Sequence, residues 1–198
     1  VFINPFDEPG AREGFSRREG RILGGGTVVS PLDLELILDN ESHSRAKLMT
    51  TAINNRFPAD PGGDPVARGR SERIISVNVP ASYRERSLEF LQLLTHIQID
   101  QGLPQEYAKK YVEALKSQPF LGDDLSWALQ ALPQKAALPF LRDLYDWPEM
   151  VPRLAALRAG AGLGDALAAP ALKQLSKEST TSVKTDALAL LGRLQGPT

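Results

Sequence analysis

The second half of the chain resembles itself at a shift of 31 residues. The pairs that this shift aligns hold the same residue or one of the same type, and they are Leu132 with Leu163, Pro139 with Pro170, Leu141 with Leu172, Arg142 with Lys173, Leu144 with Leu175, Ala156 with Ala187, Leu157 with Leu188, and Leu163 with Leu194. A pair of helices with its two turns needs roughly 30–45 residues. The period therefore predicts a stacked array of helical hairpins.

The apolar spacing of this half predicts six helices with short breaks between them. They cover residues 105–117, 122–132, 134–146, 149–161, 165–177 and 182–194. Loops this short favour antiparallel neighbours. Pro139 and Pro170 are predicted to lie in the first turns of their helices, where a missing backbone N–H is tolerated.

Two segments of this half contain short motifs that are typical of a helical repeat. Residues 153–158 read Arg-Leu-Ala-Ala-Leu-Arg, and residues 163–172 begin with Leu-Gly-Asp and end with Pro-Ala-Leu. Both are similar to HEAT-like repeats, and the resemblance covers about residues 120–198. It implies an all-α C-terminal HEAT-like helical-hairpin array. About three hairpins is near the minimum for a stable array, because each hairpin buries its face only against a neighbour.

The composition changes at Gly102. Residues 1–101 contain 11 Arg, one Lys and six Ala, whereas residues 102–198 contain four Arg, seven Lys and 16 Ala. Ala is the best helix former and Lys is close behind. Gly102 and Pro104 make a short, turn-like boundary. We therefore predict two domains, 1–101 and 102–198.

The first domain is predicted to be α+β. Apolar and acidic residues alternate at the start of a strand over 32–38, and this period of two buries one face. Further strands are predicted at 74–79 and 97–99. Apolar stripes predict two helices, one with Ala46, Met49, Ile53 and Phe57 in the core and one with Leu88, Leu91 and Leu94. The order β-α-β-α-β predicts a small sheet with helices on one face.

The sequence also predicts the caps and the connections of the helices and strands in this domain. Residues 39–42 offer caps for the first helix, and Ser82 offers one for the second. Residues 58–72 hold three Pro and three Gly and are predicted to be a flexible connection. Its Arg68 and Arg70, together with Arg73, either are solvated, which we favour, or touch an acidic partner.

Residues 1–29 are rich in Gly, Pro and Arg and show no helical period. Short strands are predicted at 2–3 and 27–29, with a tight turn or bulge at Gly24, Gly25 and Gly26. Glycine runs also occur in phosphate-binding loops, but those loops lead directly into a helix. Here Thr-Val-Val follows, so a turn into a strand is favoured.

An ordered set of short motifs runs through this first half. Residues 20–28 read Gly-Arg-Ile-Leu-Gly-Gly-Gly-Thr-Val, and a strand of alternating Leu and a helix with Ala46 and Ala-Ile-Asn at 52–54 follow. Val-Asn-Val-Pro at 77–80, a helix over 88–94 and Ile-Gln-Ile at 97–99 complete the set. The order and spacing resemble the flagellar basal-body P-ring protein family over about residues 1–100.

The resemblance implies a periplasmic structural protein that catalyses nothing. Members of the family assemble into a ring around the flagellar rod at the peptidoglycan layer, and they bind one another, the rod and the outer-membrane ring. The family continues in β-rich sequence, whereas this chain continues in Ala-rich helices. Residues 103–198 therefore have no counterpart in an ordinary P-ring subunit.

The residue inventory argues against an enzyme. The chain has no Cys, which removes disulfides, thiol nucleophiles and Cys-ligated metals. Its two histidines, His43 and His96, are far apart, and we assign neither as a ligand or base. Asp123, Asp124 and Glu149 fall at predicted helix starts, where capping and the helix dipole explain them. We predict no catalytic residue, no cofactor and no metal.

The expected partners are other proteins. The net charge is −1 and the lysines of the second half are dispersed, so no nucleic-acid groove is expected. No stretch approaches the roughly 20 apolar residues that cross a bilayer, and no small-molecule substrate is evident. Trp127, Trp147 and Tyr145 are predicted to pack in the core or between hairpins. Exposed together, they would be the best binding patch.

Two functions follow. The first is a non-catalytic structural or assembly protein of a flagellum-like periplasmic or otherwise extracytoplasmic ring, which binds itself or flagellar rod and ring proteins. The alternative is an adaptor whose HEAT-like array binds a non-flagellar partner. The chain begins at Val1 without a signal peptide, which predicts a processed or excised piece of a longer protein.

Overall fold

The computed structural model describes residues 34–59, 61–100, 102–178 and 181–195, which belong to one compact unit. This part is mostly helical and has one small antiparallel sheet of three strands. Its elements are β1 (Leu34–Ile37), α1 (His43–Arg56), β2 (Ala67–Gly69), β3 (Ile74–Val77), α2 (Ser87–Thr95), α3 (Pro104–Ser117), α4 (Gly122–Ala131), α5 (Gln134–Arg142), α6 (Met150–Gly162), α7 (Ala169–Glu178) and α8 (Thr181–Gln195). The predicted strands at 2–3 and 27–29 and the glycine run at 24–26 lie outside the described residues.

The sheet has the order β1–β3–β2, so β3 is its central strand. Leu34 pairs with Val77 and Leu36 with Ile75. Directly opposed residues share a face of the sheet, and Ile75 and Val77 are buried. Glu35 points to the opposite face and is exposed, so the alternation predicted for β1 is confirmed.

The prediction of the third strand is wrong. Residues 97–99 do not join the sheet, and β2 lies instead inside the segment 58–72, which was expected to be a flexible connection. A side chain of α1 holds β2 in place. Asn54 Oδ1 accepts the backbone N–H of Ala67 at 2.8 Å, and Asn54 Nδ2 donates to the carbonyl of Ala67 at 2.9 Å. This strand therefore depends on a tertiary contact that no local pattern encodes.

One hydrophobic core, here called the sheet core, lies between the sheet and helices α1 and α2. Its buried residues are Leu38, Ala46, Ile53, Phe57, Val66, Ala67, Ile75, Val77, Phe90, Leu93 and Ala131. Phe57, Tyr83 and Phe90 contact one another with ring centroids 4.9–5.7 Å apart, a separation typical of favourable aromatic pairs.

Helix α2 buries a different face from the predicted one. Phe90 and Leu93 are buried in the sheet core, whereas Leu88 is 78% exposed and Leu91 is 38% exposed. The segment is apolar on most sides, so two stripes fit the helical period equally well. Phe90 decides the orientation because its ring completes the aromatic cluster with Phe57 and Tyr83.

The two capping predictions have opposite outcomes. Ser42 precedes α1, and its hydroxyl accepts the backbone N–H of Arg45 at 3.3 Å, which confirms the first prediction. Ser82 is not a cap, because residues Ala81–Arg86 form a 3₁₀ helix that follows Pro80. Helix α2 begins only at Ser87 and has no side-chain cap.

Helices α3 to α8 form what we call the helical stack. Consecutive helices pack as α3–α4, α5–α6 and α7–α8, and α4 also packs on α6 and α6 on α8. The leucines that are fully buried in the stack are Leu115, Leu129, Leu141, Leu144, Leu157 and Leu172. The six predicted helices are present within a few residues, although α5 ends at Arg142 and residues Ala166–Ala168 form a 3₁₀ turn before α7.

The two prolines of the repeat occupy different places. Pro170 is the second residue of α7, as predicted. Pro139 is the sixth residue of α5, so the prediction that it lies in the first turn is wrong. The missing N–H of Pro139 removes one hydrogen bond from the interior of a helix of only nine residues.

The sheet and the helical stack share an interface. Ala131 and Trp127 of α4 contribute to the sheet core. Arg56 of α1 donates from Nε and Nη2 to the backbone carbonyl of Gln130, at 3.1 and 2.9 Å. Arg193 of α8 pairs with Glu89 of α2. The predicted boundary at residue 102 lies between the elements of the two cores, and the division into domains stays a prediction.

Candidate protein-binding site

The histidines considered as ligands lie in unlike places. His43 is the first residue of α1 and is exposed. His96 directly follows α2, and its Nδ1 lies 2.7 Å from the carbonyl oxygen of Gln92 and 3.0 Å from Thr95 Oγ1. The described part of the chain holds no cluster of three or more His, Asp or Glu that could bind a metal ion.

The acidic residues at helix starts are placed as expected, but they do not cap. Asp123 and Asp124 lie in the first turn of α4, and Glu149 directly precedes α6, and neither helix has a side-chain cap. Their negative charges still interact favourably with the positive, N-terminal ends of the helix dipoles. Asp123 pairs with Arg158 of α6, which also pairs with Asp186 of α8 at 3.5 Å. These pairs tie together the three helices that pack side by side.

The three aromatic residues do not form a surface patch. Trp127 packs against the sheet core, whereas Tyr145 and Trp147 pack in the helical stack. Lys116 Nζ lies 4.7 Å from the centroid of the Trp147 ring. The prediction that these residues serve packing is therefore confirmed, and the best binding surface must be sought elsewhere.

A buried polar network joins α5 to the turn before α7. Asp165 accepts hydrogen bonds from Arg142 Nε and Nη2 at 2.9 and 3.0 Å, and from the Tyr145 hydroxyl at 2.9 Å. The hydrogen bonds from Arg142 hold the pKa of Asp165 below its ordinary value, although burial acts in the opposite direction. Burial, followed by the hydrogen bond to Asp165, raises the pKa of Tyr145. The carboxylate is ionised and fully engaged, so it stabilises the stack and is not a free base.

A polar cavity of about 360 Å³ lies where α1 meets α4 and α5, and its lining includes Asn55, Arg56, Tyr83 and Gln134. Its main charged group, the Arg56 guanidinium, is bonded to the carbonyl of Gln130 and stacks at 5.0 Å over the Phe57 ring. This cavity belongs to the interface between sheet and stack.

A second cavity of about 360 Å³, here called the apolar groove, lies between β1, α1 and α2. The described residues of its lining are Leu36, Met49, Ile53, Leu91, Leu94, Thr95, Ile97 and Ile99, and none of them is charged. Leu91 and Leu94 belong to the stripe of α2 that was predicted to be core. The apolar pattern thus predicted that these side chains would be buried. Because α2 buries its other face in the sheet core, they line an open groove instead.

The border of the apolar groove is a sheet edge. Strand β1 pairs only with β3 among the described strands, and its Ile37 is 62% exposed. An unpaired strand edge offers a row of backbone donors and acceptors to another chain. An apolar groove beside such an edge is suited to an apolar segment of a protein, because burying one large apolar side chain contributes about 1.5–3 kcal/mol.

A second apolar surface, here called the stack patch, consists of Phe120, Met150 and Val151. Phe120 is 82% exposed just before α4, and Met150 and Val151 are exposed at the start of α6. These segments meet, since a Cβ on Gly122 would lie 3.1 Å from Val151 Cγ1. Exposed aromatic side chains are typical anchors of protein interfaces, and no sequence pattern predicted that Phe120 would be exposed.

Comparisons with protein-family models, with curated proteins and with solved structures give no match for this chain. None of the described helices is both long enough and apolar enough to cross a membrane.

Proposed function

We propose that this chain is a non-catalytic structural or assembly protein, similar to a flagellar P-ring component, that forms or attaches to a periplasmic ring through protein–protein contacts. The apolar groove carries the proposal. It lies within the stretch whose motifs resemble the P-ring family, and the residues that the structure describes in its lining are uncharged. A groove of this chemistry suits an apolar protein surface better than it suits a polar metabolite.

The partner that we propose is a second copy of this chain, because the chain carries two apolar surfaces that could contact each other. The apolar groove lies on the sheet side of the molecule, and the stack patch lies on the helical stack. A contact between two different surfaces of identical chains is heterologous, and such contacts build rings when the rotation between subunits closes. We infer that Phe120 of one subunit enters the apolar groove of the next.

Sedimentation velocity of the full chain over a range of concentrations tests this proposal. We expect concentration-dependent association that Leu91→Asp weakens at least tenfold, because the carboxylate would be desolvated in the groove. Leu88→Asp is the matched control, since Leu88 lies on the same helix, is more exposed and does not line the groove. A chain that stays monomeric at every concentration would contradict self-assembly.

Mixing two variants tests the head-to-tail geometry. Leu91→Asp keeps an intact stack patch, and Phe120→Asp keeps an intact groove. Each variant alone should be monomeric, and an equimolar mixture should form dimers that grow no further. Dimers of either variant alone would show that like surfaces meet, which contradicts the heterologous contact.

The stack patch also favours the second candidate function, an adaptor. In this proposal the helical stack is a HEAT-like array that binds a non-flagellar protein through an apolar surface that includes Phe120. Affinity capture with the full chain distinguishes the two functions. A monomeric protein that captures one defined partner, and loses it in Phe120→Asp but not in Leu91→Asp, supports the adaptor.

The periplasmic location has its own test. The start of the parent gene should encode a signal peptide, and its neighbours should include flagellar genes. A gene without either feature would count against both the location and the ring.

A further inference from the structure

A groove of about 250 Å³ lies between α1 and the hairpin of β2 and β3, and we call it the cationic groove. Its lining is His43, Ala46, Lys47, Thr50, Thr51, Gly69, Arg70 and Ser71. The sequence motif behind it is the cluster of Arg68, Arg70 and Arg73, which the proposed protein contacts do not use.

The charges in the cationic groove are of one sign. Lys47 and Arg70 are basic side chains, His43 adds an imidazole, and no carboxylate belongs to the part of the lining that the structure describes. The two neighbouring arginines have partners, since Arg68 pairs with Asp64 and Arg73 pairs with Glu41 at 3.9 Å. Among the described residues, neither Lys47 nor Arg70 forms an ion pair. Arg70, which lines the groove, is thus the arginine of the cluster that has no carboxylate partner among the described residues.

Local hydrogen bonds shape the hairpin that carries Arg70. The Ser71 hydroxyl oxygen accepts the backbone N–H groups of Arg73 and Ile74 at 3.2 and 3.1 Å, and its own proton has no acceptor among the described residues. Arg70 donates its backbone N–H to the carbonyl of Ile74 at 2.8 Å. The backbone that positions the guanidinium is therefore fixed before any ligand arrives.

Gly69 lines the cationic groove without a side chain of its own. A Cβ on Gly69 would lie 3.8 Å from Thr50 Oγ1, in the space between α1 and the hairpin. The space is several times the roughly 30 Å³ that one water molecule occupies in the liquid. It admits a tetrahedral anion with a small organic group attached.

We propose that the cationic groove binds a small phosphate-bearing anion, either inorganic phosphate or a phosphate monoester. The Arg70 guanidinium offers the planar pair of N–H donors that matches phosphate oxygens. Lys47 supplies a compact second charge, and the hydroxyls of Thr51 and Ser71 complete a set of donors. The site is separate from the apolar groove, so it stands whether or not the chain forms a ring.

Titration of the full, ¹⁵N-labelled chain with inorganic phosphate at constant ionic strength tests the proposal. We expect saturable shifts of the amide signals of Gly69, Arg70 and Ser71. Lys47→Gln and Arg70→Gln should each weaken binding about tenfold or more, as expected for the loss of one charge-assisted contact. Arg68→Gln is the matched control, because Arg68 lies on the same hairpin but outside the lining.

The same titration with glycerol 3-phosphate distinguishes the two sources of phosphate. Tighter binding than inorganic phosphate identifies a monoester as the ligand, and equal or weaker binding identifies the free ion. Shifts that do not saturate, equal losses in Arg68→Gln and Arg70→Gln, or acetate that binds as tightly as phosphate would each overturn the proposal. If a hairpin variant changes the far-UV circular dichroism spectrum, His43→Gln and Lys47→Gln on α1 replace it.

Discussion

Replacing Gly160 by Ala places one methyl group against the buried polar network of the helical stack. Gly160 lies near the end of α6, and a Cβ there would be 2.7 Å from Tyr145 Cζ and closer still to its hydroxyl oxygen. The backbone of Gly160 does not have a positive φ, so only the contact opposes the substitution. The Tyr145 ring must move, and its hydrogen bond to Asp165 must lengthen or break.

Three contributions determine how much Gly160→Ala lowers the free energy of unfolding. Overpacking of a well-packed core costs about 1–3 kcal/mol, and loss of a hydrogen bond to a charged group costs about 1.5–3 kcal/mol. The greater helix propensity of Ala returns at most about 1 kcal/mol. We expect Gly160→Ala to lower the free energy of unfolding by about 1.5–5 kcal/mol, a large share of the 5–15 kcal/mol that is typical of a domain.

Urea unfolding at neutral pH, followed by circular dichroism, measures this loss. Gly192→Ala in α8 is the matched control, because nothing lies within 4 Å of a Cβ at that position, and it should stabilise the protein by up to about 1 kcal/mol. In a Tyr145→Phe background, Gly160→Ala should cost less, since the nearest atom is gone. A Gly160→Ala protein as stable as the wild type would refute the proposed contact.

Three further predictions concern stability. Asp165→Asn should cost at least about 1.5–3 kcal/mol near pH 7, because one of the two oxygens that accept hydrogen bonds from Arg142 becomes an NH2 group that cannot accept. Since the folded state lowers the pKa of Asp165, wild-type stability should fall as the pH drops below about 4, and the variant should lack this part of the pH dependence in acid titrations. Ser42→Ala should cost about 1 kcal/mol in urea unfolding through the lost cap of α1. Leu129→Ala should cost about 2–5 kcal/mol by thermal unfolding, since its side chain is fully buried, whereas Leu188→Ala at an exposed position should leave the melting temperature nearly unchanged.

The helical half was predictable because its signals are local and repeated. Helix α5 starts at residue 134, and the turn before α7 starts 32 residues later, at residue 166. Helix α6 starts at residue 150, and α8 starts 31 residues later, at residue 181. Leu141 and Leu172 are both fully buried, so equivalent positions of the repeat pack alike. The network of Asp165 was not predictable, because the repeat aligns Asp165 with Gln134 and Arg142 with Lys173. A contact present at a single junction leaves no period in the sequence.

The sheet half was predicted less well because tertiary contacts decide it. Helix α2 itself was predicted correctly, but its predicted buried stripe was wrong. The face that is buried depends on the contacts of Phe90 with Phe57 and Tyr83, which lie outside the helix. Likewise β2 needs Asn54 of α1. The apolar groove could not be predicted for the same reason. Leu91 and Leu94 have the spacing of core residues, and only the packed structure shows which of the two stripes of α2 is not buried.

Helix α1 separates the two grooves and thereby makes the two proposals independent. Met49 and Ile53 line the apolar groove, whereas Lys47 lines the cationic groove. Leu91→Asp should therefore weaken association at least about tenfold and leave phosphate affinity unchanged, and Lys47→Gln should weaken phosphate binding about tenfold or more and leave association unchanged. If either substitution changes both properties, α1 transmits an effect between the two grooves, and linkage then requires that phosphate alter the association constant by the same factor as association alters phosphate affinity.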